Sequence, residues 1–242
     1  MALITLNNWR VEQRLESLNL SLEPGHMLGV IGPNGAGKSS LLKSLIGELK
    51  GVGEATFEHH NLAQLSPSKR AQYIGYLAQS QGSTWRLSVE DVVSLGRLPW
   101  GDERREPIEA ALAACDLVKW RKRPVSELSG GEQARVWLAR VLAGTPQVLL
   151  ADEPIASLDL LHQRRVLELL RSHAQGAQAV LVSIHDLSLA ARYCDRLCLL
   201  AEGKLLAFGA PSEVLTPELL KQAFGLNVRV DLNAHPPIVQ AL

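Results

Sequence analysis

Gly32-Pro33-Asn34-Gly35-Ala36-Gly37-Lys38-Ser39 is the stretch whose reading decides the fold. It fits the pattern G-x-x-x-x-G-K-[ST], and its flanks matter as much as the match. Met27-Leu28-Gly29-Val30-Ile31 reads as a short buried strand. Ser40-Leu41-Leu42-Lys43-Ser44-Leu45-Ile46 then spaces apolar residues three and four apart, as a half-buried helix does. Strand, glycine-rich loop and helix start together make an anion site. Glycines let backbone N–H groups turn inward around phosphate oxygens, and the helix N-terminus adds a positive partial charge. Lys38 would neutralise the outer phosphates of a nucleotide, and the Ser39 hydroxyl would hold Mg²⁺.

A second stretch bears on the same chemistry. Val148-Leu149-Leu150-Ala151-Asp152-Glu153 is an apolar strand ending in two carboxylates. In a phosphate-loop fold that strand is expected beside the loop, with its C-terminal end at the ligand crevice. Asp152 would join the Mg²⁺ shell, mostly through water, and Glu153 would orient or deprotonate an attacking water. A third stretch, Leu128-Ser129-Gly130-Gly131-Glu132, has capping-box spacing between Ser129 and Glu132, with apolar residues recurring at Val136, Ala139 and Leu142. Two glycines at a helix mouth cost stability, and close backbone approach to a phosphate would account for both.

The rest of the chain alternates strands and helices. Strands are expected at Leu3 to Leu6, Leu18 to Leu22, Ala55 to Phe57, Tyr73 to Ala78, Val148 to Ala151 and Ala179 to Ile184. A closing hairpin is expected where Leu197 to Leu200 and Leu205 to Phe208 flank Glu202-Gly203-Lys204. Ser66-Pro67, Ser88 to Asp91 and Thr216-Pro217 mark helix starts, Glu106 to Cys115 and Leu161 to His173 read as helices, and Gly225 ends the last. From about residue 81 to 144 short helical patterns dominate, a helical insert within an α/β core. The continuous apolar runs predict a parallel sheet covered on both faces, in one domain spanning residues 1–242.

Composition narrows the function classes. The 242 residues are 46% hydrophobic and 21% charged, as in an ordinary globular protein. Lysine plus arginine and aspartate plus glutamate each number 25, so no overall field would gather nucleic acid or an anionic membrane. Cys115, Cys194 and Cys198 lack C-x-x-C spacing, which argues for reduced thiols in a cytosolic protein. No apolar run approaches the ~20 residues of a membrane-spanning helix, so work at a membrane would need a partner to hold the chain there.

Taken together these stretches resemble the nucleotide-binding subunits of ABC transporters. Gly32–Ser39 resembles their Walker A, Gln79 their Q-loop, Leu128–Glu132 their signature, Val148–Glu153 their Walker B, Ser157-Leu158-Asp159 their D-loop and His185 their switch histidine. The resemblance covers nearly the whole chain. It implies an α/β P-loop core with a mixed sheet, a small antiparallel β subdomain and an inserted helical subdomain. By the same resemblance ATP and Mg²⁺ are the ligands. Gly32, Pro33, Asn34, Gly35, Ala36, Gly37, Lys38, Ser39 and Ser40 would cradle the phosphates, and Ser129, Gly130, Gly131, Glu132 and Asp159 would face the nucleotide of a second copy. Ser39, Gln79 and Asp152 would attend the metal, while Lys38, Gln79, Glu153 and His185 would serve catalysis.

The implied partners are a second copy of the chain, a polytopic membrane permease and, indirectly, a periplasmic or extracellular substrate-binding protein, with no nucleic acid. The implied location is peripheral, on the cytoplasmic face of the inner membrane. Leu95 to Trp100, Asp159 to Gln163 and Ala190 to Asp195 are similar to the ATPases of importers for ferric siderophores, haem and vitamin B12. Those ATPases usually stack an aromatic residue on adenine from a loop after the first strand. Here the loop is short, as in the vitamin B12 members, which inclines the reading toward that cargo. Trp9 is the nearby aromatic and stands either on adenine or in the core. Ala134 and Ala151 replace a glutamine and a bulkier residue of the family pattern without removing a charge or a phosphate ligand. Competing readings are an ABC importer for zinc, manganese or an amino acid, a non-transport ABC protein acting on DNA or ribosomes, and a nucleotide sensor that does not hydrolyse. The last conflicts with the presence of both Glu153 and His185.

Overall fold

The computed structural model describes residues 1–79, 86–156 and 158–242. The expected insert boundary near Gln81 and the first D-loop residue, Ser157, lie outside them. Strands β1 (Ile4–Val11) and β2 (Leu15–Leu22) form a tight hairpin, and β3 (Met27–Ile31) leads into the glycine-rich loop and helix α1 (Lys38–Ile46). Next come β4 (Gly51–Phe57), β5 (His60–Asn61), α2 (Pro67–Tyr73) and β6 (Ile74–Leu77). Helices α3 (Val89–Ser94), α4 (Arg105–Ala114) and α5 (Gly130–Ala143) follow, then β7 (Val148–Asp152), α6 (Leu160–His173), β8 (Ala179–Ser183) and α7 (Leu187–Tyr193). The chain closes through β9 (Arg196–Ala201), β10 (Lys204–Gly209), α8 (Pro211–Val214), α9 (Pro217–Phe224), β11 (Val228–Asp231) and β12 (Ile238–Ala241).

A six-stranded sheet runs β10-β9-β3-β8-β7-β6, parallel except for β10. Alternate side chains divide between its faces, which is why the strands read as unbroken apolar runs. Leu149, Val180, Val182, Leu197 and Leu199 point into a core shared with α3, α4, α5 and α6. Leu150, Leu181, Cys198 and Leu200 point to the other face, where Leu41, Leu42 and Leu45 of α1 cover them. A four-stranded antiparallel sheet, β2-β1-β4-β5, completes that second core through Ile4, Leu6 and Phe57. All three cysteines are buried free thiols, and burial pushes each up to about 12.

The first strand is longer than the alternation predicts, for a local reason. β1 carries a register shift between Leu6 and Trp9, and Asn8 has φ +50° with its N–H on Asn19 Oδ1 at 2.7 Å. A bulge breaks the period of two, so the sequence signal stops at Leu6 while pairing continues to Val11. Side-chain caps set most helix starts: Ser66, Ser88, Ser129, Asp159, Asp186 and Thr216 each accept an N–H from the turn they begin. Helix α1 departs from this rule, starting at Gly37 (φ +102°) with no side-chain cap.

The C-terminal hairpin β11–β12 had no sequence signal. Its strands are half-buried or exposed, and it is fastened to α7 through Ser188, whose Oγ accepts the Val239 N–H at 2.9 Å. Ser188→Ala should therefore loosen the hairpin locally, speeding hydrogen exchange at the Val239 amide by roughly fivefold, the equivalent of ~1 kcal/mol, while the amides of β3 keep wild-type protection.

Candidate functional site

The uncapped start of α1 faces a cavity of about 560 Å³, lined by Asn34, Gly35, Gly37, Lys38, Ser39, Ser40 and Glu153. Its first N–H groups carry the helix's positive end toward that space. Gly37 is required there twice over: its φ is left-handed, and a Cβ would lie 2.4 Å from Leu15 Cδ2. The far wall comes from the β1–β2 turn, Gln13 to Glu16, and from Glu202-Gly203 between β9 and β10. Backbone bonds tie these walls to the loop: Glu16 N–H to Gly203 O at 2.7 Å and Gly203 N–H to Ala36 O at 3.3 Å.

Lys38 is 5% exposed, and its Nζ donates to Gly32 O (2.9 Å) and Pro33 O (3.0 Å). Burial lowers its pKa, and the carboxylates of Glu153 and Asp152 partly offset this. The ammonium thus has carbonyl partners in place at the uncapped start of a helix that faces the cavity.

Strand β7 does not pair with β3, since β8 lies between them, yet its C-terminal end reaches the loop's cavity as the sequence predicts. The gap is closed by side chains. Asp152 Oδ1 accepts the Ser39 hydroxyl at 3.0 Å and the Ser183 hydroxyl at 2.8 Å, and Tyr76 OH donates to Oδ2 at 3.4 Å. Burial and the Asp152 charge push the Tyr76 phenol well above its usual range. Ser183 also takes the Glu153 N–H at 2.8 Å. Glu153 itself holds φ +47°, a left-handed backbone that a side chain rarely adopts. Its carboxylate is clasped on both oxygens, by His185 Nε2 (2.5 Å to Oε1) and by Gln79 Nε2 (2.6 Å to Oε2). A carboxylate only accepts, so the proton of that short bond lies on His185 Nε2.

Comparison with known proteins settles the family. A family model described as ABC transporter matches residues 15–156. The chain belongs to the ABC transporter family. It is 46% identical over 239 residues to the hemin import ATP-binding protein HmuV of Pseudomonas entomophila (strain L48), with 93% of each chain covered. The HmuV of Pseudomonas aeruginosa PAO1 is 47% identical over 237 residues, again with 93% of each covered. Among solved structures, an ABC transporter chain in an inward-facing conformation superposes with TM-score 0.85 at 26% identity, covering 100% of this chain and 97% of that one. This chain is accordingly an ABC ATPase: it binds ATP and hydrolyses it. Among the described residues no helix is long and apolar enough to cross a membrane.

The ABC motifs fall in two groups. Gly32 to Ser40, Glu153, His185, Gln79 and Asp152 converge, through the contacts above, on one end of the sheet. Ser129, Gly130, Gly131, Glu132 and Asp159 do not line that cavity. They stand at the starts of α5 and α6, with Ser129 and Gly130 exposed. Ser129 N–H donates to Glu132 Oε2 at 2.8 Å, and this bond holds the Glu132 carboxyl below its usual range. The His162 backbone N–H and side chain do the same for Asp159. A second cavity, of about 450 Å³, joins Gln79, Gly130, Gln133 and Trp137 to Glu153.

Trp9 takes the core alternative. It is 6% exposed, its Nε1 donates to Ser44 Oγ at 2.9 Å, and it does not line the cavity. The turn that reaches the cavity carries Gln13 and Arg14, and the expectation of Trp9 on adenine is corrected to a place in the core. Sequence reasoning also missed Tyr76, Ser183 and the Glu202-Gly203 turn. Ser183 had a usable signal, a lone hydroxyl in an otherwise apolar strand two residues before His185. Trp9→Phe is expected to leave ATP affinity within about twofold by calorimetric titration, while lowering stability to urea by roughly 1–2 kcal/mol through the lost buried bond and volume.

Proposed function

We propose that this chain is the motor of a haem importer, working as two copies against a separate membrane permease on the cytoplasmic face. The observation that carries the chemistry is the placement of Glu153: its carboxylate stands at the end of β7, clasped by Gln79 and His185, beside Lys38 and the open start of α1. The relatives' name, hemin import ATP-binding protein, supplies the cargo. A ferric chelate is the second reading, supported by the likeness to a chain described as of metal-chelate type.

The triphosphate lies along the loop, with N–H groups of Gly35 to Ser40 and the Lys38 ammonium on its β and γ oxygens. Mg²⁺ fits the hydroxyl of Ser39 and the carboxylate of Asp152, hard oxygen donors already 3.0 Å apart, with Gln79 nearby. When bound it neutralises charge on the β and γ phosphates. Glu153 orients the attacking water and takes its proton, and His185 contacts the γ-phosphate. Gln79 and His185 both bond to Glu153, so the three side chains stand together where the attacking water and γ-phosphate meet.

Ser129 to Glu132 and Asp159 point to the second copy, because they lie away from their own chain's phosphate loop. Two chains packed head to tail would bring each Ser129 turn to the other's nucleotide. Closure on ATP and release on hydrolysis then drive the permease, which takes cargo from a substrate-binding protein outside. Glu153→Gln should retain ATP binding and lower turnover by about 10²–10⁴-fold, and it should trap an ATP-bound dimer on size exclusion. Wild-type turnover in that variant would remove the role given to Glu153. Uptake of labelled haem by cells expressing chain, permease and binding protein, compared with a ferric chelate and cobalamin, decides the cargo.

A further inference from the structure

The two glycines of the Ser129 turn have different surroundings. A Cβ at Gly130 would meet nothing within 4 Å. A Cβ at Gly131 would lie 2.4 Å from His162 Cδ2, 2.5 Å from Cγ and 2.8 Å from Nε2. The position a side chain would occupy on the first turn of α5 is therefore filled by an imidazole from α6, 31 residues later in the chain. That ring is half-buried, at 21% exposure, and is held from its other edge. Its Nδ1 lies 2.8 Å from Asp159 Oδ1, the same oxygen that caps α6 by accepting the His162 N–H at 2.9 Å. Because the carboxylate accepts, Nδ1 carries a proton. One side chain thus touches both turns that lie outside the chain's own phosphate cavity.

The geometry points to His162 as a positioning residue: its ring packs in the space left by Gly131 and its Nδ1–H binds Asp159, so the Ser129 turn and the Asp159 turn are presented to a partner copy's nucleotide as one unit. This rests on the dimeric motor reading. Gly131 is then a glycine because a histidine ring fills its side-chain space, whereas a Cβ at Gly130 would meet nothing within 4 Å. A bare packing contact would need neither the half-buried ring's second bond nor its use of the capping oxygen.

Steady-state ATPase of the permease-bound complex tests this. His162→Ala should lower kcat about tenfold with KM for MgATP changed less than about twofold, because the residue acts on the arrangement of the closed site and not on the first capture of nucleotide. His162→Asn, whose amide keeps a donor toward Asp159, should recover at least about half of that loss. The decisive variant is Gly131→Ala: it should cost at least about tenfold in kcat when His162 is present, but no more than about twofold further in the His162→Ala background, where the clashing ring is already gone. An equal fold cost of Gly131→Ala in both backgrounds would overturn the inference, as would a His162→Ala kcat within twofold of wild type. Trapping of Glu153→Gln reports on the dimer itself, so failure of the motor reading and failure of the His162 role are read in separate assays.

Discussion

The Asp152 carboxylate is the constraint from which the rest of the site follows. One of its oxygens takes hydroxyl donors from Ser39 at the start of α1 and from Ser183 at the end of β8, and the other takes Tyr76. Those partners come from three units around β7: the start of α1, the end of β8, and β6. A carboxylate that is 2% exposed is tolerable only with such donors, because an unpaired buried charge costs several kcal/mol. Satisfying it fixes the height of α1 against β7, and with it the distance from Lys38 to Glu153. The hydroxyl of Ser183 then reaches the Glu153 N–H, so the residue after the strand is held by the same network.

Sheet order explains why such bridging is needed. With β8 between β3 and β7, the loop and the carboxylates are two strands apart, about 10 Å by ordinary strand spacing. Backbone pairing cannot span that gap, and side chains of the intervening strand end must. Both cores serve this arrangement. The α1 face of the sheet is apolar through Leu150, Leu181 and Leu200, and the opposite face holds α5 and α6, whose N-termini carry the Ser129 and Asp159 turns. The phosphate-loop helix and the helices that carry the Ser129 and Asp159 turns thus pack on opposite faces of one sheet.

What the sequence made legible follows the range of each signal. The glycine-rich loop, the capped helices and the buried strands are local patterns, and each was readable because a few adjacent residues decide it. The β1 extension was not, since the bulge at Asn8 interrupts the alternation on which a strand is recognised. Trp9 was ambiguous for the same reason, because a residue beside a bulge has no predictable face; the Ser44 hydroxyl 35 positions later decides it. Tyr76 and Ser183 act through contacts of 76 and 31 residues' separation, and the β11–β12 hairpin is held by Ser188 of α7 together with Val228, Val230 and Val239 packed on the core. None of these has a spacing rule.

Glu153 shows how strain and polar pairing are combined in one residue. Its left-handed φ costs of order 1 kcal/mol for a residue with a Cβ, and it persists only where surroundings over-determine it. Here its N–H is held by Ser183 while each carboxylate oxygen has its own donor. The backbone twist turns the side chain away from the line of β7 and toward the cavity that Lys38 also faces. A relaxed extended residue would continue the strand direction, and the carboxylate would not meet His185 and Gln79 together. The left-handed φ thus goes with different surroundings for two adjacent acids: Asp152 stays in the sheet's hydroxyl network, and Glu153 meets Gln79 and His185.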